Sequence, residues 1–178
     1  MPNALQGTML RWTWVSAIII FLDQLTKWMA EVNLTKGEAI EITPFLNMTL
    51  WYNEGAAFSF LAGQGGWQRW FFAILAFSVS LFILNWLRTL PKTEKWTAIG
   101  LALVLGGAIG NLIDRVLAGK VIDFIDFHFP FIGLHASFPF VYINPDYHFA
   151  TFNVADIGIS IGAALLIIMS LFSAVDEK

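Results

Sequence analysis

The chain contains no cysteine and has few charged residues for its length. Without cysteine, disulfide bonds, thiolate nucleophiles and cysteine-based metal sites are all excluded. Only 13% of its 178 residues are charged, about half of the roughly 25% found in soluble domains, so a soluble helical bundle would lack the polar residues needed to coat it. The net charge of −3 argues against nucleic acid as a partner, because binding phosphates requires a basic surface.

Long apolar stretches dominate the chain, and 57% of its residues are apolar. Crossing a bilayer takes roughly 20 residues of helix, and tryptophans cluster near the ends of the candidate stretches, where their rings favour the headgroup layer. The first stretch contains Asp23 and has no small-residue cleavage site, so we expect it to be retained rather than removed as a signal peptide. We predict one membrane domain, residues 1–178, with four transmembrane helices over about 12–29, 70–87, 96–113 and 154–172.

The positive charges of the short loops predict the orientation of these helices. Arg88, Lys92 and Lys95 follow the second stretch, and Arg11 precedes the first. Because lysine and arginine are enriched in cytoplasmic loops, both termini and the short turn are predicted to face the cytoplasm. The two longer loops are then predicted to face outward.

The outward loops carry signs of ordered structure. Polar and apolar residues alternate over Phe45–Tyr52, which is typical of a strand, and Asn53–Gly55 supplies turn chemistry before Ala56–Phe60. This pattern predicts a small extracytoplasmic β-hairpin on the membrane surface. In the second loop, the apolar run Phe129–Tyr142 contains two prolines, which oppose a spanning helix, so we interpret it as an interfacial segment.

Carboxylates gather in the outer half of the predicted bundle. A charge at the centre of a membrane helix costs about 2.5–3.5 kcal/mol, so Asp23, Asp114, Asp123 and Asp156 each require either a partner or a function. Asp114 adjoins Arg115, which favours a structural ion pair, whereas Asp123 and Asp156 have no adjacent cation. Two carboxyls that share a proton can serve as the acid and the base of a hydrolysis. The similar depth of these residues leaves Asp114 open as the partner of Asp156 in place of Asp123.

Five short motifs follow one another from the first predicted helix to the last. They are Asp23-Gln24-x-x-Lys27, Asn53-x-Gly55-Ala56-Ala57-Phe58-Ser59, Gly106-Gly107-Ala108-x-Gly110-Asn111-x-x-Asp114-Arg115, Val121-x-Asp123-Phe124 and Phe152-Asn153-x-Ala155-Asp156. In this order they closely resemble the motifs of the lipoprotein signal peptidase (signal peptidase II) family.

The resemblance implies a monomeric four-helix enzyme of the bacterial inner membrane with an extracytoplasmic β-cradle. It implies an aspartic endopeptidase, without metal or other cofactor, that cleaves diacylglyceryl-modified prolipoproteins before the lipidated cysteine. Asp123 and Asp156 would be catalytic. The residues that would shape the site and hold the substrate are Asp23, Asn53, Gly55, Asn111, Asp114, Arg115 and Asn153. One departure is the long stretch between Asp123 and Asp156, with 129–142 as the insertion, which bears on how the outer loop covers the site.

Two other classes of membrane protein use intramembrane carboxylates. A metal-dependent membrane transferase would use Asp123 and Asp126 as its best pair, but hard divalent cations usually take several oxygen ligands, and no fuller array is found in the sequence. A proton-coupled transporter component would place its site near the midplane between repeated halves. Here the carboxylates lie toward one face and no repeat is visible, so the sequence favours the peptidase.

Overall fold

The computed structural model describes residues 8–55, 66–129, 147–148 and 150–176. Over these residues the chain is mostly helical, with a short 3₁₀ helix at Met9–Trp12 and a small antiparallel sheet. The helices are α1 (Thr13–Asn33), α2 (Trp67–Thr89), α3 (Lys95–Leu117) and α4 (Val154–Asp176), and the strands are β1 (Ala39–Thr43), β2 (Leu46–Asn53), β3 (Val121–Phe129) and β4 (Tyr147–His148).

Among the described residues, three helices are long and apolar enough to cross a membrane. They are α2, α3 and residues Val154–Phe172 of α4, with mean hydropathies of 2.0, 1.8 and 2.2. Helix α1 has the length of a span, but it does not reach the same apolarity because Asp23, Lys27 and Glu31 lie within it. The predicted count of four spans is therefore not confirmed by hydropathy.

Helix α3 lies at the centre of the bundle, where it packs against α1, α2 and α4. Small residues make these approaches close. A methyl group on Gly107 would collide with the carbonyl oxygen of Ala155 in α4, and one on Gly106 would lie 3.0 Å from the backbone of Ser16 in α1. The Ser16 hydroxyl also donates to the Ala102 carbonyl at 2.7 Å. These contacts fix the depth of α1 and α4 relative to α3.

The sheet has the order β1-β2-β3-β4. The strand predicted over Phe45–Tyr52 is confirmed as β2. The described hairpin joins β2 to the preceding strand β1, with Ile40 opposite Met48, and the other edge of β2 pairs with β3. Ala56–Phe60, the predicted second arm, lies outside the described residues, as does the run Phe129–Tyr142 apart from its first residue.

The end of α3 directs the chain into β3. Gly119 adopts a left-handed conformation, with φ of 78°, and its N–H donates to the Asp114 carbonyl at 3.1 Å, as is usual for a glycine that ends a helix. Gly119 thus marks the end of α3. Arg69 of α2 caps the same helix end, since its guanidinium donates to the carbonyls of Arg115 and Val116 at 2.6 and 2.7 Å. Strand β3 consequently begins at the end of the bundle where α3 terminates.

Candidate active site

A pocket of about 500 Å³ opens where α3, β3 and the start of α4 meet. Backbone hydrogen bonds between Ile125 and Phe152, at 2.9 and 3.0 Å, hold the segment before α4 against β3. This pairing brings two of the predicted carboxylates to one pocket, since both Asp123 and Asp156 line it. The polar residues that line it with them are Asn53, Asn111, Arg115, Thr151 and Ser160.

Asp123 lies on β3 and is only 2% exposed. Its two carboxyl oxygens accept hydrogen bonds from the side-chain amides of Asn153, at 2.7 Å, and Asn53, at 3.2 Å. Burial raises the pKa of Asp123 to about 7, and the negative charge of Asp156 adds to this rise. The Asp123 carboxyl can therefore hold or release a proton near neutral pH.

Asp156 is held by the start of its own helix. The Asp156 N–H donates to the side-chain oxygen of Asn153 at 3.0 Å, while the Asn153 N–H donates to Asp156 Oδ2 at 3.2 Å. This reciprocal arrangement is a capping box, and it fixes the Asp156 side chain at the first turn of α4. The other oxygen, Oδ1, accepts from Asn111 Nδ2 at 2.8 Å.

Asn153 connects the two carboxylates. Its amide oxygen caps α4 at Asp156, and its amide nitrogen donates to Asp123. Because a side-chain amide has one acceptor end and one donor end, this fully buried residue can satisfy both neighbours only in the orientation observed. The sequence-predicted residue Asn153 thus sets the separation of Asp123 and Asp156.

Lys27 of α1 lies beneath the pocket, only 1% exposed. Its Nζ is 2.8 Å from Asp23 Oδ2, 2.8 Å from Asp114 Oδ2 and 2.9 Å from Asn111 Oδ1. The predicted ion pair between Asp114 and Arg115 is therefore wrong, because the cation that pairs with Asp114 is Lys27. Adjacent residues on a helix do not face each other, which leaves Asp114 free to turn toward α1.

Asp23 and Asp114 use their remaining acceptor capacity on backbone groups. Asp23 Oδ1 accepts the Ala155 N–H at 2.8 Å, and Asp114 Oδ2 accepts the Ile122 N–H at 3.2 Å. Gln24 adds a donor to Asp114 at 2.9 Å. These bonds tie α1 and α3 to the residues beside Asp156 and Asp123. Neither Asp23 nor Asp114 lines the pocket, so both support it from below.

Arg115 ties the loop after β2 to α3. Its guanidinium donates to the Gly55 carbonyl at 3.0 Å and to the Asn111 carbonyl at 3.3 Å. The Gly55 N–H in turn donates to Asn53 Oδ1 at 3.0 Å, which leaves the Asn53 amide nitrogen facing Asp123. Arg115 thus positions Gly55, and Gly55 orients the Asn53 side chain. The Asn53 amide nitrogen is then placed to donate to the carboxyl of Asp123.

Lys27 and Gln24 belong to the first of the five motifs, but they were not predicted to be site residues. The spacing of Asp23 and Lys27, four residues apart on one helix face, was the available signal, because such pairs meet on a helix. Asp126 does not line the pocket; it is buried and accepts a hydrogen bond from the Asn47 side-chain amide at 3.2 Å. Among the described residues, no group of three or more histidine, cysteine, aspartate or glutamate side chains is arranged to hold a metal ion.

Comparisons with known proteins agree with the resemblance seen in the motifs. The family described as Signal peptidase (SPase) II matches residues 15–172. The lipoprotein signal peptidase of Hydrogenovibrio crunogenus is 53% identical over 166 residues, which cover 93% of this chain and 88% of that protein. That of Coxiella burnetii (strain Dugway 5J108-111) is 46% identical over 162 residues, covering 91% and 90%.

Solved structures show the same fold. A bacterial membrane enzyme determined by the in meso method at 2.3 Å resolution superposes with a TM-score of 0.76 at 28% identity, covering 94% of this chain and 92% of that one. A second, determined at 1.9 Å, gives a TM-score of 0.69 at 29% identity, with 90% and 92% covered. The predicted family is thus confirmed, and the chain belongs to the signal peptidase II family of aspartic membrane peptidases.

Proposed function

We propose that this chain removes signal peptides from diacylglyceryl-modified prolipoproteins by cleaving before the lipidated cysteine, with Asp123 and Asp156 as its catalytic pair. The observation that carries the proposal is the contact of one buried amide, Asn153, with both of these residues at the edge of one pocket. The lipoprotein signal peptidases to which the chain is similar support the choice of substrate.

The chemistry needs one carboxylate and one carboxylic acid. The ionised member removes a proton from water, whose oxygen attacks the carbonyl carbon of the scissile bond. The protonated member then gives its proton to the nitrogen as the C–N bond breaks, so the two carboxyls exchange protonation states and the pair still holds one proton after cleavage. A pKa of about 7 for Asp123 suits it to the role of the acid, which leaves Asp156 as the base.

We infer that α1 is a fourth membrane span despite its charges. Lys27 and Asp23 are buried against each other, so they present no charge to lipid. The surface of α1 is instead apolar, with Ile18, Phe21 and Trp28 exposed to 47%, 65% and 61%. With four spans, the loop charges place both termini in the cytoplasm and the pocket at the outer face of the bacterial inner membrane. One chain supplies both carboxylates, so the enzyme is proposed to act as a monomer.

The lipid is proposed to contribute to catalysis. A substrate anchored in the outer leaflet meets a pocket at the same level, and its acyl contacts can orient the scissile bond. Trp51, which is 47% exposed and lies opposite Asp123 in the sheet, is one residue proposed to cover it. Phe58 and Phe60, which follow the Asn53–Gly55 turn signal in the sequence, are proposed with it and lie outside the described residues.

The test is incubation of the purified protein with a synthetic precursor peptide that carries diacylglyceryl on its cysteine. We expect cleavage directly before that cysteine, at the same rate with and without a chelator, and far slower cleavage of the unlipidated peptide. Loss of activity on chelation, restored by a divalent ion, would point to a metal-dependent enzyme. Equal rates on the two peptides would contradict the role of the lipid.

A further inference from the structure

Ser160 lies on α4 four residues after Asp156, and both side chains line the same pocket. Residues four apart share one face of a helix, and at about 1.5 Å per residue they are separated by about 6 Å along the axis. Because α4 runs inward from the sheet, Ser160 lies deeper along the bundle than the candidate catalytic pair. Ser160 therefore lies on the part of the pocket wall that continues toward the hydrocarbon core of the membrane.

The Ser160 hydroxyl makes no hydrogen bond within the described part of the chain. Serine in a membrane helix often donates to the carbonyl one turn back, as Ser80 does to Ala76 at 2.7 Å, and Ser16 donates across to α3. No such partner is found for Ser160 among the described residues, and its side chain is exposed in the pocket. An exposed hydroxyl without a partner on the pocket wall is free to donate to a ligand that brings an acceptor, and leaving it unpaired under an apolar ligand would be costly.

Apolar side chains flank this hydroxyl. Ile157 and Ile161 precede and follow it on the same pocket wall, and they are 36% and 55% exposed. The wall thus combines a single hydrogen-bond donor with hydrocarbon on both sides. A ligand that fits it has one buried acceptor within an otherwise apolar chain.

An acyl ester has this chemistry. If the proposed function is correct, the scissile bond lies at Asp156, and the thioether and glycerol carbons of the modified cysteine form a chain of several bonds that can span the roughly 6 Å between the levels of Asp156 and Ser160. That reach brings an ester carbonyl of the diacylglyceryl group to the level of Ser160. We propose that the Ser160 hydroxyl donates a hydrogen bond to this carbonyl, so that the enzyme distinguishes acyl esters from alkyl ethers. This inference rests on the proposed function and deepens it.

The experiment compares two substrates on the same peptide, one with a diacylglyceryl cysteine and one with the dialkyl ether analogue, which lacks both carbonyls. Ser160→Ala should raise KM for the ester about fivefold, as expected for one hydrogen bond, and leave KM for the ether unchanged. Ser160→Thr keeps the hydroxyl and should retain the preference for the ester. Ser170→Ala is the matched control, because Ser170 is exposed on the same helix and does not line the pocket.

The possible outcomes separate this inference from the proposed function. Cleavage of both lipidated substrates by the wild-type enzyme supports the proposed function whatever the serine variants do. If Ser160→Ala changes KM equally for ester and ether, or changes neither, the hydrogen bond to the ester is refuted. If the wild-type enzyme cleaves neither substrate, both proposals fail together.

Discussion

Lys27 Nζ donates to Asn111 Oδ1 at 2.9 Å, and this contact determines which way the Asn111 amide points. An ammonium group can only donate hydrogen bonds, so the amide oxygen must face Lys27. The amide nitrogen is then left to donate to Asp156 Oδ1, as it does at 2.8 Å. A buried cation on α1 thereby orients a donor toward a carboxylate on α4 without touching that carboxylate itself.

Replacing Lys27 with methionine should strongly destabilise the protein. The Lys27→Met variant keeps the side-chain volume but leaves Asp23 and Asp114, both buried, without their shared cation. Breaking a buried ion pair in this way costs about 3–5 kcal/mol. We expect a lower unfolding temperature in detergent together with lost cleavage. Lys36→Met is the control, because Lys36 is exposed, and an equal unfolding temperature for the two variants would contradict the argument.

Asp114→Asn should be milder than Lys27→Met. In this variant Lys27 retains Asp23 at 2.8 Å, so no charge is stranded. The loss is a weaker bond to Lys27 and a poorer acceptor for the Ile122 N–H, and the unfolding temperature should fall less. Thermal unfolding of the two variants side by side provides the measurement. A larger loss in Asp114→Asn would mean that Asp114 compensates a further cation, such as Arg115.

The choice of cation that pairs with Asp114, Lys27 and not Arg115, shows what the sequence could and could not predict. Apolar runs predicted α2, α3 and α4 because hydrophobic length is a local property of the sequence. The pairing of Asp114 with Lys27 depends on the rotation of α1 against α3, which tertiary packing decides. Adjacency in sequence suggested Arg115 as the partner of Asp114 instead. The Arg115 guanidinium, however, donates hydrogen bonds to the carbonyls of Gly55 and Asn111.

The sheet illustrates the same limit. Alternation predicted β2, but alternation cannot name the neighbours of a strand, so its pairing with β1 was not predicted. Strand β3 was not predicted, although its run Val121–Phe129 is rich in β-branched and aromatic residues. The pairing of β2 with β3 is non-local, because α2 and α3 lie between the two strands in the sequence. Asp123 and Asp156, which were named from the motifs that carry the resemblance, nevertheless line one pocket, and their catalytic role stays a prediction.

Neutralising either member of the proposed pair should abolish turnover and leave the protein folded. Asp123→Asn and Asp156→Asn each remove an acid or base function with almost no change in volume, and neither strands a paired cation. Asp126→Asn is the matched control, since it alters a buried carboxyl on the same strand that does not line the pocket. Cleavage of the lipidated peptide should persist in that control. Near-normal turnover by Asp123→Asn would exclude it from the pair.

The rate should decline above neutral pH. Burial and the charge of Asp156 raise the pKa of Asp123 to about 7, so below this value the pair retains the proton that the leaving nitrogen needs. As the pH rises through about 7, the proton is lost, and kcat/KM should fall about tenfold per pH unit. The apparent value belongs to the pair of carboxyls together. A pH profile with the lipidated peptide tests this, and a constant kcat/KM from neutral to strongly basic pH would contradict it.

Asn153 offers a way to separate helix capping from catalytic positioning, because the two ends of its amide serve different neighbours. Asn153→Ala removes both the cap at the Asp156 N–H and the donor to Asp123, and loss of a cap alone costs about 0.5–2 kcal/mol.

Asn153→Ser should restore only the first function. A serine hydroxyl caps helices well but is too short to reach Asp123, now bonded at 2.7 Å. We therefore expect the serine variant to unfold at nearly the wild-type temperature, while its kcat stays as low as that of the alanine variant. A loss of about 100-fold is reasonable for misplaced catalytic groups. Recovery of turnover together with stability in Asn153→Ser would mean that Asn153 acts only as a helix cap, and the link between the two carboxylates would then have no part in catalysis.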